Sequence, residues 1–271
     1  MYDHKLIKYS LLLGTCLSLM ACSFTSNQDG APRANINVSK IPNAVPRAEP
    51  KSQTGNPASY RVFGKTYYVM DSAKGYVQRG IASWYGTKFH GRKTSSGEIY
   101  NMYKMTAAHT KLPLPTYVQV TNLKNGRKII VKVNDRGPFH SNRIIDLSYV
   151  AAKKLGIIAT GTGLVEVRSI DPKTWRKGST RTKPTPAKPT QAVSPNTLYI
   201  QAGAFSSQHN AAQLQQQLRG LFPSRNVELA YLQTDKLYRV RIGPLRSVQE
   251  ADAIAKRIDE QGYPAPHVVI D

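Results

Sequence analysis

Apolar and polar positions divide the chain into five stretches of different period. Leu11, Leu12, Leu13, Leu17, Leu19 and Met20 crowd a run from Tyr9 to Ala21, preceded by Lys5 and Lys8. A positive start followed by roughly 13 mostly apolar residues is the pattern of a secretory signal peptide over residues 1–21, too short for a comfortable membrane span. Residues 22–59 are rich in Ser, Asn, Pro and Ala without a hydrophobic period, which predicts a flexible tether. Residues 60–170 alternate with a period of two. Tyr67 and Val69 begin it, followed by Gly80–Tyr85, Tyr117–Thr121, Lys128–Val133 and Val165–Arg168. Asn125-Gly126, between two of these runs, is a strong hairpin signal. One helix fits over Asp146 to Leu155, with Asp146 as its N-cap and Gly156 as its stop.

Residues 171–195 place five prolines among Lys and Thr, a stiff and charged spacer. The last stretch, 196–271, reads strand, helix, strand, strand, helix, strand. Ala211, Leu214 and Leu218 share one helical face, and Val248, Ala251, Ile254, Ala255 and Ile258 share another. Ser247 and Glu250 have capping-box spacing. The two halves echo each other, so both are needed to close one sheet. The fold class expected is mainly β followed by a small α+β domain.

Charge sharpens this division. The formal net charge of +22 calls for an anionic partner. Half of it lies in residues 76–170, where 15 basic residues face four acids, while residues 196–271 are nearly neutral. A nucleic-acid binder fits such a charge, but an exported chain does not meet cytoplasmic nucleic acid. Of the two cysteines, Cys16 lies in the apolar run. The other closes Leu19-Met20-Ala21-Cys22, which resembles a lipobox. That resemblance implies acylation of Cys22 and anchorage by several buried acyl chains. Ser23, in place of Asp, points to the outer membrane, with the protein facing the periplasm.

The four acids of residues 76–170 can be weighed singly. Asp146 reads as a cap, and Glu166 alternates outward from an apolar strand. Glu98, in the polar loop Thr94–Glu98, and Asp135, at a strand end before Gly137-Pro138, have no such explanation. Spacing alone leaves catalysis, turn formation and an Asp135–Arg136 surface pair all open. His109 follows a short Thr-Ala-Ala turn, where a packed histidine and a proton-transfer residue are both tenable. Two acids and one His are too few for a zinc site, so no metal or cofactor is expected. Neither a nucleophile elbow nor a phosphate loop is found.

The runs Ile81–Gly86, Phe89-His90-Gly91, Thr94–Glu98, Met105–His109, Leu112-Pro113, Val133–Phe139 and Arg143–Ser148 together resemble the rare lipoprotein A family. The resemblance implies a double-psi β-barrel, a fold shared with expansins and certain endoglucanases, and lytic transglycosylase activity on peptidoglycan. It implies that Glu98, Asp135 and His109 serve that activity. In the reaction the muramic acid C6 hydroxyl attacks its own anomeric carbon, leaving a 1,6-anhydro end. A single carboxyl that starts protonated can serve both steps, which requires a raised pKa. By analogy with the endoglucanases this acid is Asp135, with Arg136 turned away and Glu98 either stabilising the oxocarbenium charge or raising the pKa of Asp135. Tyr85 and Tyr100 are candidates for sugar contact, and Trp84 for core. The alternative is a non-enzymatic wall-binding or wall-loosening protein.

Tyr199–Phe205 and Tyr238–Leu245 with the following helix resemble the SPOR domain. This implies binding of denuded glycan strands at the division septum. Gln201, Tyr238, Arg239 and Arg241 are the candidates on its sheet, although the phase of alternation is open.

Overall fold

The computed structural model describes residues 29–140, 142–176, 197–264 and 266–271. The signal peptide, Cys22 and most of the proline spacer lie outside the described residues.

Six strands close into a barrel: β3 (Val77–Tyr85), β4 (Thr106–Ala108), β5 (Thr116–Asn122), β6 (Lys128–Asp135), β7 (Arg143–Ser148) and β8 (Gly163–Ser169). Their order around the barrel is β3-β7-β4-β6-β5-β8. The β3–β7 and β4–β6 pairs are parallel and the others antiparallel. Alternation builds the interior, where Val118, Val120, Val131, Val133, Ile145, Leu147, Val165 and Val167 are fully buried. Each contributes roughly 1.5–3 kcal/mol on leaving water. Closure leaves no free edge. The Asn125-Gly126 hairpin joins β5 to β6 as expected, with Gly126 at φ 70°.

Helix α1 (Tyr149–Leu155) begins later than the sequence suggests. Its N-cap is Ser148, whose side chain accepts from Ala151 N, and Asp146 is a residue of β7. Apolar alternation through Ile145 and Leu147 keeps the chain extended past Asp146, and the next residue able to cap is Ser148. Gly156 ends the helix in a left-handed conformation, as its spacing predicts.

The expected tether is a strap over residues 29–58. Ile36, Val38, Ile41 and Ala44 pack on the barrel core. Ala44 N donates to Ile130 O, and Asn56 exchanges hydrogen bonds with the Leu114 backbone. Asp29 caps the loop after β3, accepting from Gly86 N at 2.9 Å and Lys88 N at 3.0 Å. The strap passes so close there that a Cβ on Gly86 would meet Gly30 O at 2.0 Å. A separate hairpin, β1 (Ser59–Val62) and β2 (Lys65–Tyr68), follows the strap.

The second domain is a four-stranded antiparallel sheet in the order β10-β11-β9-β12. It comprises β9 (Leu198–Phe205), α2 (Gln208–Leu221), β10 (Val227–Leu232), β11 (Leu237–Leu245), α3 (Val248–Glu260) and β12 (His267–Ile270). This is the order of elements read from the pattern. Ser247 caps α3, but the Glu250 carboxylate reaches Arg246 N, one residue before the reciprocal box bond. The domains touch where Arg143 Nη2 lies 2.8 Å from Asp252 Oδ2 and where Leu123 and Leu164 meet the second core.

Candidate active site

Strand β4 is central to the site because it lies between the two strands that carry acids. Ala108 pairs with Asp135 of β6 on one side and with Asp146 of β7 on the other. The two carboxyls act together on the stacked Tyr85 and Tyr100, whose hydroxyls both are pushed up, chiefly by burial and further by Asp135 and Asp146. At neighbouring-strand spacing the two acids' Cα atoms are roughly 10 Å apart.

Asp146 lines an open cleft with Asp29, Phe63, Trp84, Phe89 and Phe139. Burial raises its pKa above the ordinary carboxylate range. The Ser83 hydrogen bond, Arg143 and His140 oppose the shift, and Asp29 adds to it. Ser83 stands beside it in register on β3 and donates its hydroxyl to Asp146 Oδ1. Gly137, at φ 133° in the loop between β6 and β7, lies beside the carboxyl, where a Cβ would sit 3.8 Å from Asp146 Oδ2. A carboxyl held above the ordinary range thus stands at Asp146. The sequence reading gives this residue a cap, whereas the structure sets it within β7 and caps the helix with Ser148. The available signal was an acid set within a strand-like apolar run.

Asp135 is held firmly. Its Oδ1 accepts from Ser95 N at 2.8 Å, Ser95 Oγ at 2.7 Å and Arg136 N at 2.8 Å. The Arg136 guanidinium turns away, as expected. It donates to the carbonyls of Gly55, His109 and Leu112 and lies 5.8 Å over the Tyr60 ring.

Glu98 takes another direction. Lys132 Nζ is 2.8 Å from Glu98 Oε1 and 2.8 Å from the strap's Glu49 Oε2, while Asn134 Nδ2 donates to Glu98 Oε2 at 2.8 Å. Burial pushes the Glu98 pKa up, but the bonds from Lys132 and Asn134 outweigh it and hold it below the usual range. Glu98 lines a groove beside strap residues Ile41–Val45, apart from the cleft at Asp146. The Thr94–Glu98 loop joins Asp135 through Ser95 and Asn134 through Glu98, so both acids have structural partners that spacing alone did not reveal.

His109 is 1% exposed and follows a strand, not a helical turn. Its Nδ1 accepts from Lys111 N and Leu112 N, both at 3.0 Å, so Nε2 carries the proton toward Tyr76 Oη at 2.9 Å. Burial, then Arg136 and Lys111, lower its pKa to about 3. Both nitrogens are thus engaged in the core, and the residue positions the 109–112 turn. Its own N–H donates to Asp135 O, tying that turn to the acid's strand.

Tyr85 and Tyr100 are 7% and 2% exposed and stack at 4.1 Å in the core, and Tyr85 also lines the cleft. Trp84 is half-buried, edge-on to Tyr149, and also lines the cleft. The exposed aromatics that line this cleft are Phe63 and Phe89.

In the second domain, Leu198, Ile200 and Ala202 are buried toward the helices, so Gln201 faces the open side of the sheet. Arg241 pairs with it in register, and Arg239 Nη1 donates to Gln201 Oε1 at 2.9 Å. Arg241 also reaches Asp271 at 2.8 Å and lies over Tyr199. Tyr238 belongs to the other face, in register with Phe205 and Tyr231 and packed on the core. Gln201, Arg239 and Arg241 thus share the face away from the helices, with Arg241 itself 8% exposed, and Tyr238 lies on the helix face.

The family described as lytic transglycolase matches residues 77–168, and the SPOR domain family matches residues 194–270. A Pseudomonas aeruginosa (strain UCBPP-PA14) protein, endolytic peptidoglycan transglycosylase RlpA, is 42% identical over 271 residues, covering 83% of this chain and 79% of that protein. This chain belongs to the RlpA family. A Vibrio cholerae protein of the same name is 38% identical over 258 residues, covering 93% of each chain. A Neisseria meningitidis serogroup A protein, also so named, is 42% identical over 210 residues, covering 77% of this chain and 82% of that protein. The closed barrel is the double-psi β-barrel of the RlpA family, and the four-stranded sheet with its helices is the SPOR domain. Asp146, Asp135 and Ser83 fall within the matched barrel segment. Asp29, Glu49 and Phe63 precede it, so the RlpA barrel of this chain is completed by the strap and hairpin in front.

Proposed function

We propose that this chain is a peptidoglycan lytic transglycosylase that cleaves MurNAc–GlcNAc bonds and leaves 1,6-anhydro-MurNAc ends. The observation that carries this reading is Asp146, a half-buried carboxyl with a raised pKa at the wall of an open, aromatic-lined cleft. Such a group keeps its proton until the leaving GlcNAc oxygen takes it. The MurNAc C6 hydroxyl then attacks the anomeric carbon and returns its proton to the same carboxylate, so no water is consumed. Asp135, locked by Ser95, supplies a second carboxyl on the adjoining side of Ala108, where it acts on the charge developed at the anomeric centre. Glu98 supports the site through Lys132 and Asn134.

The membership of the RlpA family supports the activity, because the relatives carry the transglycosylase name. The finer reading is that the substrate is peptide-free glycan at the division septum. Gln201, Arg239 and Arg241 form the binding face of the SPOR domain, where the arginines suit the lactyl carboxylates that bare glycan exposes. Lipidation of Cys22 would hold the chain on the outer membrane, facing the wall. Mass spectrometry of products from denuded glycan tests the activity. Anhydro-ended fragments are expected; strand binding without such fragments would leave a wall-binding protein and reject the enzyme.

A further inference from the structure

Phe63 stands at the tip of the β1–β2 hairpin, 91% exposed, with a backbone φ of 47°. That left-handed conformation costs a bulky side chain roughly 1–2 kcal/mol, and the ring recovers little of it from packing. Its recorded ring contact is an edge approach to Phe139 at 6.5 Å. Stability therefore gives no reason for a phenylalanine here, but position does. Phe63 lines the same cleft as Asp146, Trp84 and Phe89.

The hairpin that carries it is fixed relative to the acids. Tyr60 and Tyr67 stack at 5.3 Å, and Tyr67 meets Phe139 at 5.6 Å. Tyr60 Oη donates to Thr110 O at 2.8 Å, and the Arg136 guanidinium lies over the Tyr60 ring. Arg136 directly follows Asp135 in the chain, so the aromatic tip and the acid strands form one braced unit.

We infer that Phe63 is a specificity-determining residue of the cleft, presenting a stacking platform for one N-acetylhexosamine ring of the glycan. This rests on the transglycosylase reading for the identity of the ligand. A pyranose ring offers an apolar C–H face that an aromatic ring covers well. Phe has no polar handle, so it selects for ring face and reach along the strand and not for a hydroxyl pattern. Lys65 and Lys88, near the Tyr67 and Phe89 rings, place positive charge around this platform. That charge matches the lactyl carboxylate of a muramic acid residue.

The test uses the purified full chain, with Phe63→Ala and Phe63→Trp, on denuded glycan strands. Phe63→Ala is expected to raise KM by about three- to ten-fold with kcat nearly unchanged. Phe63→Trp should restore KM, and Tm should not move in either variant because the side chain is exposed. An unchanged KM in Phe63→Ala overturns the inference. Fluorine NMR on 4-fluorophenylalanine at position 63, titrated with a glycan tetrasaccharide, reads the contact without catalysis. A shifted resonance supports the platform even if no anhydro product forms, and an unmoved resonance overturns it while leaving the enzyme reading intact.

Discussion

Asp146 and Ser83 face each other across the parallel β3–β7 pair, and the serine hydroxyl donates to the carboxyl that burial has raised. In the proposed reaction this pair would tune the strength of the acid. Asp146→Asn should lower kcat by at least about 100-fold while glycan binding persists. Asp135→Asn provides the comparison: if it alone abolishes turnover and Asp146→Asn does not, the acid is Asp135.

Ser83→Ala removes a bond that lowers the Asp146 pKa, so that pKa should rise further. A general acid works while protonated, and the basic limb of the kcat–pH profile should move to higher pH in this variant. An acid with a raised folded pKa stabilises fully below its unfolded value of about 3.9 and loses that contribution as pH rises through the folded value. Asp146→Asn is free of this loss. Its Tm relative to wild type should therefore be higher at pH 8 than at pH 4, as thermal scans in matched buffers can check.

His109 carries the opposite linkage. Its folded pKa of about 3 lies below the ordinary value, so its contribution is present above about 6.5 and lost as pH falls toward the folded value. His109→Gln should cost about 2–3 kcal/mol at neutral pH by leaving Lys111 N, Leu112 N and Tyr76 without their partner. Its stability should also fall less steeply with acid than that of wild type. Chemical denaturation at pH 7 and pH 5 measures both effects. A variant as stable as wild type with lost turnover would instead assign His109 to the chemistry.

Lys132 lies between Glu49 of the strap and Glu98 of the barrel. Lys132→Met leaves two carboxylates without their shared cation, and about 1–2 kcal/mol of stability should be lost, discounted for the partial exposure of both acids. The Glu98 pKa should rise in this variant, visible by carboxyl-carbon NMR. Glu49→Gln should loosen the strap, increasing proteolytic cleavage within residues 41–58.

On the SPOR sheet, Arg239→Ala should weaken glycan binding by about ten-fold, since it removes a charged donor and frees Gln201. Tyr238→Ala should leave affinity unchanged and lower Tm, because its ring packs on the helix side. Calorimetric titration with denuded strands separates the two. Equal losses of affinity would place the binding surface elsewhere.

Period and spacing in the sequence determined the β-rich domain, the Asn125-Gly126 hairpin, the stop at Gly156 and the order of elements in the SPOR domain. These are local properties: alternation, turn chemistry and capping act over a few residues. The acids and the histidine were visible as residue types, but their tasks were not. Asp146 looked like a cap because Ser83, which defines its surroundings, is 63 positions away in the chain. Glu49 reaches Lys132 across 83 positions, and the strap bearing it has no hydrophobic period to announce its packing. Tyr238 and Arg239 are adjacent in sequence, yet only sheet register put one on the helices and the other on the open face. Burial and long-range pairing fix a side chain's pKa, exposure and partners, and both arise only when distant strands close the barrel.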